Sequence, residues 1–235
     1  MNTAGLVGDD WGGLHGYSEG TTQAPTYSGG PYWPGQDVAR GVSAVPGGGG
    51  VEVDDWGGLH PFTINGNGPP GAPSGSPYWP GQDVARGVAV TSDGKGGFEV
   101  DNWGGLHPFA LGAGPAPAAP NTVAYWPGQD VARGVVILAD GTGGFTIDNW
   151  GGLHPFGIGS HAPPSKPTGG PYWPGQDAAR GITILADGSG GYIGDSWGGL
   201  HGIDLSGKAI PATPTNGPYW PGMNVAWGPT TTGGS

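Results

Sequence analysis

The chain has no cysteine, few charges, and no long apolar run, and each absence removes a class of protein. Without Cys there is neither a disulfide framework nor a thiolate zinc site, so stability must come from packed apolar and aromatic surface. Only 7 Lys and Arg stand against 18 Asp and Glu, a net charge of −11. That balance disfavours nucleic acid and anionic membrane surfaces, and suits cations or neutral polar ligands better. No stretch approaches the roughly 18 apolar residues of a membrane span, so no membrane insertion is expected. The opening MNTAGLVGDDWGG lacks a charged segment followed by an apolar one. The expectation is therefore a signal already removed, or export by another route.

Long helices are also missing, because 55 Gly and 26 Pro interrupt every run of helix formers. Inside a helix Gly costs about 1 kcal/mol and Pro about 3 kcal/mol relative to Ala. The same glycines do not recur at every third position, as collagen requires. Gly-rich disorder would lack aromatics, yet the chain carries 11 Trp, 8 Tyr and 5 Phe. The glycines punctuate something that folds.

What is present is a repeat. Trp-Gly-Gly-Leu-His recurs with its Trp at Trp11, Trp56, Trp103, Trp150 and Trp197, and Tyr-Trp-Pro-Gly with its Trp at Trp33, Trp79, Trp126, Trp173 and Trp220. After the first step the spacing of both phrases is 47, and five such units make 235. Within one unit, Ala132 to Leu138 is a β-branched run, an Asp-Gly turn follows, and Gly144 to Asp148 alternates apolar and polar. That pattern reads as a hairpin. Asn149 to Gly152 makes a second turn, Leu153 to Ile158 a third short strand, and Pro171 to Trp173 an expected outer strand. Three or four antiparallel strands per unit, at this period, make a propeller blade.

The ends predict closure. Gly5 to Trp11 matches Gly191 to Trp197, and Val225 to Thr232 matches Ala178 to Leu185, so each end supplies what the other lacks. The expectation is an all-β, five-bladed β-propeller forming a single domain over residues 1–235, its ring closed by N- and C-terminal strands in one blade. No open sheet edge would then remain at the closure.

In the usual blade order both Trp phrases fall on one rim, while the Asp-Gly turns and the variable connections fall on the other. Ten repeated Trp on one rim have two readings. They fill the wedges between blades, with Gly-Gly permitting a tight turn. Alternatively they form equivalent pockets in which Trp faces stack on a ligand oriented by Gln36, Gln82, Gln129 and Gln176. One ring can pack while the other binds. Asp37, Asp83, Asp130 and Asp177 each precede an Arg by three residues, at Arg40, Arg86, Arg133 and Arg180. In the fifth unit both change together, to Asn224 and Trp227, which points to an ion pair shaping the turn into the inner strand. Met223 replaces the Gln there, making that blade an internal control.

Nothing resembles a catalytic centre. His15, His60, His107, His154 and His201 lie in separate blades, with no neighbouring His or Cys to complete a metal site, and read as structural histidines. Asp93, Asp140 and Asp187 sit in Asp-Gly hairpin turns, single carboxylates rather than calcium loops. Gly194 to Gly198 fits a nucleophile-elbow pattern, but the slot of Ser196 holds Asp or Asn in the other units and no helix follows. A fivefold chain without one asymmetric constellation is not expected to be an enzyme, and no cofactor or metal is implied.

At the level of these residues the chain resembles bacterial propeller repeats that carry Asp-Gly-x-Gly-Gly-(Phe/Tyr) followed by Trp-Gly-Gly-Leu-His-Pro-Phe. That resemblance covers the whole chain and implies an extracellular or cell-surface protein. More loosely, the five units and the Ala-Arg leading to Gly-Gly-aromatic, as in Ala132-Arg133 and Gly143-Gly144-Phe145, are similar to the tachylectin family. Its five-bladed propellers bind N-acetylated sugars. The aromatic-rich strands of that family are not matched, so its sugar-contacting residues are not carried over. The expected function is a multivalent carbohydrate-binding propeller for glycans or glycoconjugates. A structural or protein-interaction module of a surface or virion assembly is the alternative, and an enzyme using the central channel is a third.

Overall fold

The computed structural model describes residues 3–167, 169–205, 207 and 210–232, all strands, turns and connections without a helix among them. The β-branched runs form the inner strands. The first blade holds β4 (Ala39–Ala44), β5 (Gly50–Asp54) and β6 (Leu59–Ile64), with β3 (Tyr27–Ser28) paired outside β6. In the second, β8 (Ala85–Val90), β9 (Gly96–Asp101) and β10 (Leu106–Leu111) are flanked by β7 (Pro73–Ser74). In the third, β12 (Ala132–Ile137), β13 (Gly143–Asp148) and β14 (Leu153–Ile158) are flanked by β11 (Pro120–Asn121). The fourth holds β15 (Ala179–Ile184), β16 (Gly190–Asp195) and β17 (Leu200–Asp204). The fifth joins β18 (Ala226–Thr232) to β1 (Ala4–Asp9) and β2 (Leu14–Ser18), so the C-terminal strand is innermost and the ring closes as expected.

One strand expectation is corrected. Pro171 to Trp173 is not a strand; the short outer strands lie upstream, at β3, β7 and β11, and each belongs to the blade that follows it. A Pro there offers no N–H to a ladder, and the Trp173 N–H instead donates to the Trp150 carbonyl. Tyr-Trp-Pro-Gly therefore carries the chain along the rim from the outer edge of a blade to its own inner strand.

Both faces of every sheet are covered by neighbouring blades. Between the second and third, Phe98 and Val100 meet Phe156 and Ile158; between the third and fourth, Phe145 and Ile147 meet Ile193 and Ile203. Each such side chain contributes roughly 1.5–3 kcal/mol by leaving water. Every inner strand of the first four blades has a bulge at its Arg, seen as register shifts around Arg40, Arg86, Arg133 and Arg180. A bulge leaves one residue unpaired and re-aims its side chain.

The axis is pinched shut directly after those bulges. Gly41, Gly87, Gly134, Gly181 and Gly228 converge so closely that a Cβ on any of them would fall 2.7–3.0 Å from the Cα of the next. The space there is about 10 Å³, at the limit of one water. Beyond this waist, on the Asp-Gly rim, a well of about 610 Å³ opens between the inner strands, walled by Val42, Val88, Val135 and Ile182 with the hydroxyls of Ser43, Thr183 and Thr230.

Candidate aromatic rim

The turn between the second and third strands of a blade and the Tyr-Trp-Pro-Gly segment of the next meet on one rim. The N–H groups of Trp33, Trp79, Trp126, Trp173 and Trp220 donate to the carbonyls of Trp11, Trp56, Trp103, Trp150 and Trp197, each at 2.7 Å. Inside them runs a closed circle of backbone bonds: Asp10 N–H to Val225, Val38 to Asp10, Asp55 to Val38, Val84 to Asp55, and so on through Asn102, Val131, Asn149, Ala178 and Ser196 back to Val225. The rim is thus held rigidly from blade to blade.

The two Trp of each pair have different surroundings. Those of Tyr-Trp-Pro-Gly are half-buried, and Trp79, Trp126, Trp173 and Trp220 pack against the wedge cores. Each meets a repeat His edge-on, Trp33 with His60, Trp79 with His107, Trp126 with His154, Trp173 with His201 and Trp220 with His15, at 4.8–5.3 Å between ring centres. The indole also lies on the first Gly of the preceding turn. Gly151 is representative: it has φ +90° and a Cβ there would come within 3.2 Å of the Trp173 ring.

A carboxylate at the end of each second strand ties the turn together. One oxygen of Asp9, Asp54, Asp101, Asp148 and Asp195 accepts the N–H of the Trp two residues on and of the second Gly, at 2.8–2.9 Å. The other lies 2.7–2.9 Å from Nε2 of the repeat His. Burial pushes the Asp148 carboxyl up, but the bonds from His154, Gly152 and Trp150 outweigh it and hold the group below the ordinary carboxylate range. The histidines are structural, as the sequence suggested. The Asp that fixes them was missed, though it recurs six residues before every repeat His.

The Trp of Trp-Gly-Gly, by contrast, is free of the wedge. Trp56, Trp103, Trp150 and Trp197 remain 37–44% exposed, with Trp11 half-buried. The most exposed aromatics beside them are Tyr32, Tyr78, Tyr125, Tyr172 and Tyr219, at 54–63%, and Trp197 meets Tyr219 edge-on at 6.5 Å. Sequence reasoning had weighed only the Trp of that phrase. Gln36, Gln82, Gln129 and Gln176 are exposed on the same rim, one tight turn beyond the packed Trp, and Met223 is exposed in their place in the fifth blade.

Toward the axis the Asp-Arg pairs form a circle rather than isolated bridges. Each Arg reaches its own Asp through Nη1 at 2.6–2.8 Å and the Asp or Asn of the following blade through Nε at 2.9–3.1 Å. The guanidinium groups are buried, and they hold Asp83, Asp130 and Asp177 below the ordinary carboxylate range against the opposing effect of burial. Asn224 receives Arg180, and Trp227 fills the remaining gap with its ring between Arg40 and Arg180, at 5.0 and 5.4 Å, donating its indole N–H to Asp10. The joint change in the fifth blade is a substitution of one closure chemistry for another.

Asp93, Asp140 and Asp187 accept bonds from Thr91 and Lys95, Thr142, and Ser189 within their own turns. Among the described residues no group of three or more His, Cys, Asp or Glu is placed to hold a metal ion. An open cleft of about 560 Å³ lies where the third blade's turn meets the fourth blade, lined by Trp150, Gly151, His154, Tyr172 and Ile193 among others.

No family model matches this chain, and no curated protein matches it. Among solved structures it is similar to a chain in a crystal structure of the nidogen/laminin complex, with a TM-score of 0.51 and 12% identity over 98% of each chain. At that identity the likeness supports the propeller fold and nothing finer.

Proposed function

We propose that this chain is a multivalent carbohydrate-binding, lectin-like propeller acting outside the cell, with no catalytic role, whose sites lie on the aromatic rim, one at each blade junction. The observation that supports this reading most is the division of labour among the repeated aromatics. Four Trp pack into wedges, Trp79, Trp126, Trp173 and Trp220, yet four others, Trp56, Trp103, Trp150 and Trp197, and a Tyr in every unit stay exposed on turns already fixed by hydrogen bonds. Rigid, amphipathic rings in shallow clefts offer stacking faces to the C–H surfaces of a sugar, and the neighbouring Gln side chains offer neutral hydrogen-bonding groups. Individual sites of this kind are weak. Several on one rim gain affinity for a multivalent glycan through effective concentration.

A glycan array followed by calorimetry tests the proposal. Trp103→Ala and Trp150→Ala are each expected to weaken binding about two- to tenfold per site, the worth of one aromatic contact. Absence of binding to any glycan, or unchanged affinity in these variants, would overturn it. A second reading, a protein-interaction module, draws support from the Tyr and Trp character of the rim, which protein interfaces favour, and from a similar chain that occurs in a nidogen/laminin complex. It predicts stable oligomers or partner complexes by light scattering with no small-ligand affinity.

A further inference from the structure

The well on the Asp-Gly rim is less symmetric than the repeat that builds it. Ladder bonds of an antiparallel pair alternate, so every second residue of an inner strand turns its N–H away from its own sheet. Val45, Thr91, Leu138 and Leu185 donate to the carbonyls of Gly49, Gly96, Gly143 and Gly190 in their second strands. The N–H groups one residue earlier, on Ala44, Val90, Ile137 and Ile184, therefore face the axis, as does that of Thr231 in the fifth blade.

Three of these five are capped by a hydroxyl of the neighbouring inner strand. Thr230 Oγ1 accepts the Ala44 N–H at 2.8 Å, Ser43 Oγ the Val90 N–H at 3.1 Å, and Thr183 Oγ1 the Thr231 N–H at 2.9 Å. The equivalent positions beside Ile137 and Ile184 hold Ala89 and Val136, which have no hydroxyl to offer. Thr231 Oγ1 donates to the Ile184 carbonyl at 2.8 Å. Among the described residues, no side chain reaches the N–H of Ile137, the N–H of Ile184 or the Ile137 carbonyl. Backbone groups left so must find water or a ligand.

These three groups line an open space, unlike the carboxyls of Glu52 and Glu99, which are 1% and 0% exposed and enclosed in the wedges. At about 610 Å³ the well has the size of a small-molecule site. Ala89, Val135, Val136 and Ile182 make the wall around the bare N–H groups apolar, and among the described residues no charged side chain lines the well. Its mouth is different. Asp93, Asp140 and Asp187 directly follow the lining residues Ser92, Ala139 and Ala186. Bonds from Thr91, Thr142 and Ser189 hold these carboxyls below the ordinary carboxylate range, and only Asp93 has a cation near, Lys95 at 3.8 Å. An anion is repelled at such a mouth, and a cation would find no counter-charge inside. The glycine waist closes the far end, so a long polymer cannot thread through.

We propose that the well is a binding site for one small neutral amide with a branched apolar group. Its carbonyl accepts from the N–H groups of Ile137 and Ile184, its own N–H donates to the Ile137 carbonyl, and its apolar body covers Ala89 and Val136. The site lies on the rim opposite the repeated Trp, and stands whether or not those Trp bind sugars.

Nuclear magnetic resonance of the intact, ¹⁵N-labelled chain tests the assignment. In the free protein the Ile137 and Ile184 amides are expected to exchange with solvent at least about tenfold faster than those of Ala44, Val90 and Thr231. N-acetyl-leucine amide is expected to shift and protect both, saturating at one molecule per chain. N-acetyl-leucine, the same body ending in a carboxylate, is expected to bind about tenfold more weakly, the worth of one like-charge encounter near the surface. The double variant A89S/V136T places hydroxyls where Ser43 and Thr183 stand in their blades. It is expected to slow exchange at both amides and to weaken the neutral ligand about tenfold without lowering the melting temperature. If that variant does not fold, A89S alone gives the same readout at Ile137. Equal exchange at all five amides, equal affinity for the two compounds, or unchanged affinity in the variant would overturn the proposal. So would fast exchange with no amide bound, which would leave water as the occupant.

Discussion

Trp126 and Trp150 belong to the same rim of the third blade, each recurs five times, and their sequence neighbours are equally rich in Gly. One is a wedge between blades and the other faces solvent. The difference comes from what each ring finds beneath it. Trp126 descends onto Gly104, whose positive φ clears the space, and against His154, which Asp148 holds in place. Trp150 sits at the tip of its turn with its backbone N–H already held by Asp148. Repetition in a sequence thus marks structural necessity and surface display alike, and burial is what separates them.

Substitutions break this comparison in graded steps. Trp126→Ala is expected to cost about 3–5 kcal/mol, read as a lower denaturant midpoint. Gly151→Ala forces a Cβ onto a left-handed backbone position and toward the Trp173 ring and the Pro171 carbonyl, and is expected to cost at least about 1–2 kcal/mol by the same measurement. Trp150→Ala is expected to leave stability within about 0.5 kcal/mol while weakening glycan binding. Equal destabilisation by Trp126→Ala and Trp150→Ala would erase the distinction between the two rings.

Acidity sharpens the same contrast at the level of the carboxyls behind each ring. Asp148 has a folded-state value below its unfolded one, so its contribution to stability is full above about pH 4 and disappears as pH falls through the folded value. Glu99 has the opposite sign. Its folded-state value of about 9 lies above the unfolded one, so the folded state binds the extra proton and stability falls as pH rises between about 4.5 and 9. Glu99→Gln is therefore expected to raise the melting temperature at pH 8, by roughly 2–4 °C for each kcal/mol regained, and to do nothing below pH 4. A melting curve against pH that is parallel for the two proteins would show that Glu99 is ionised in the fold.

Most of the architecture was legible because a 47-residue period and matching ends leave little freedom. Loss of Asp and Arg together in the fifth unit correctly paired Asp130 with Arg133. It could not show that Arg133 also reaches Asp177, because that contact depends on how neighbouring blades sit. The outer strand was misplaced because Pro-rich connections carry no alternation to read. Glu52 and Glu99 went unnoticed for a related reason. Alternating apolar and polar residues usually mark one wet face, but a propeller sheet is covered on both, so a polar residue in its second strand is buried rather than solvated.

The glycine waist ties residue choice to the number of blades. Five backbones meeting with no side chains leave room for about one water. A sixth blade would widen that circle into a hole nothing in the repeat could plug, and a methyl group at the waist would keep five from meeting. The molecule is consequently a cup rather than a pipe: whatever enters the well on the Asp-Gly rim must leave by the same mouth, and the two rims can evolve different ligands without interference through the axis.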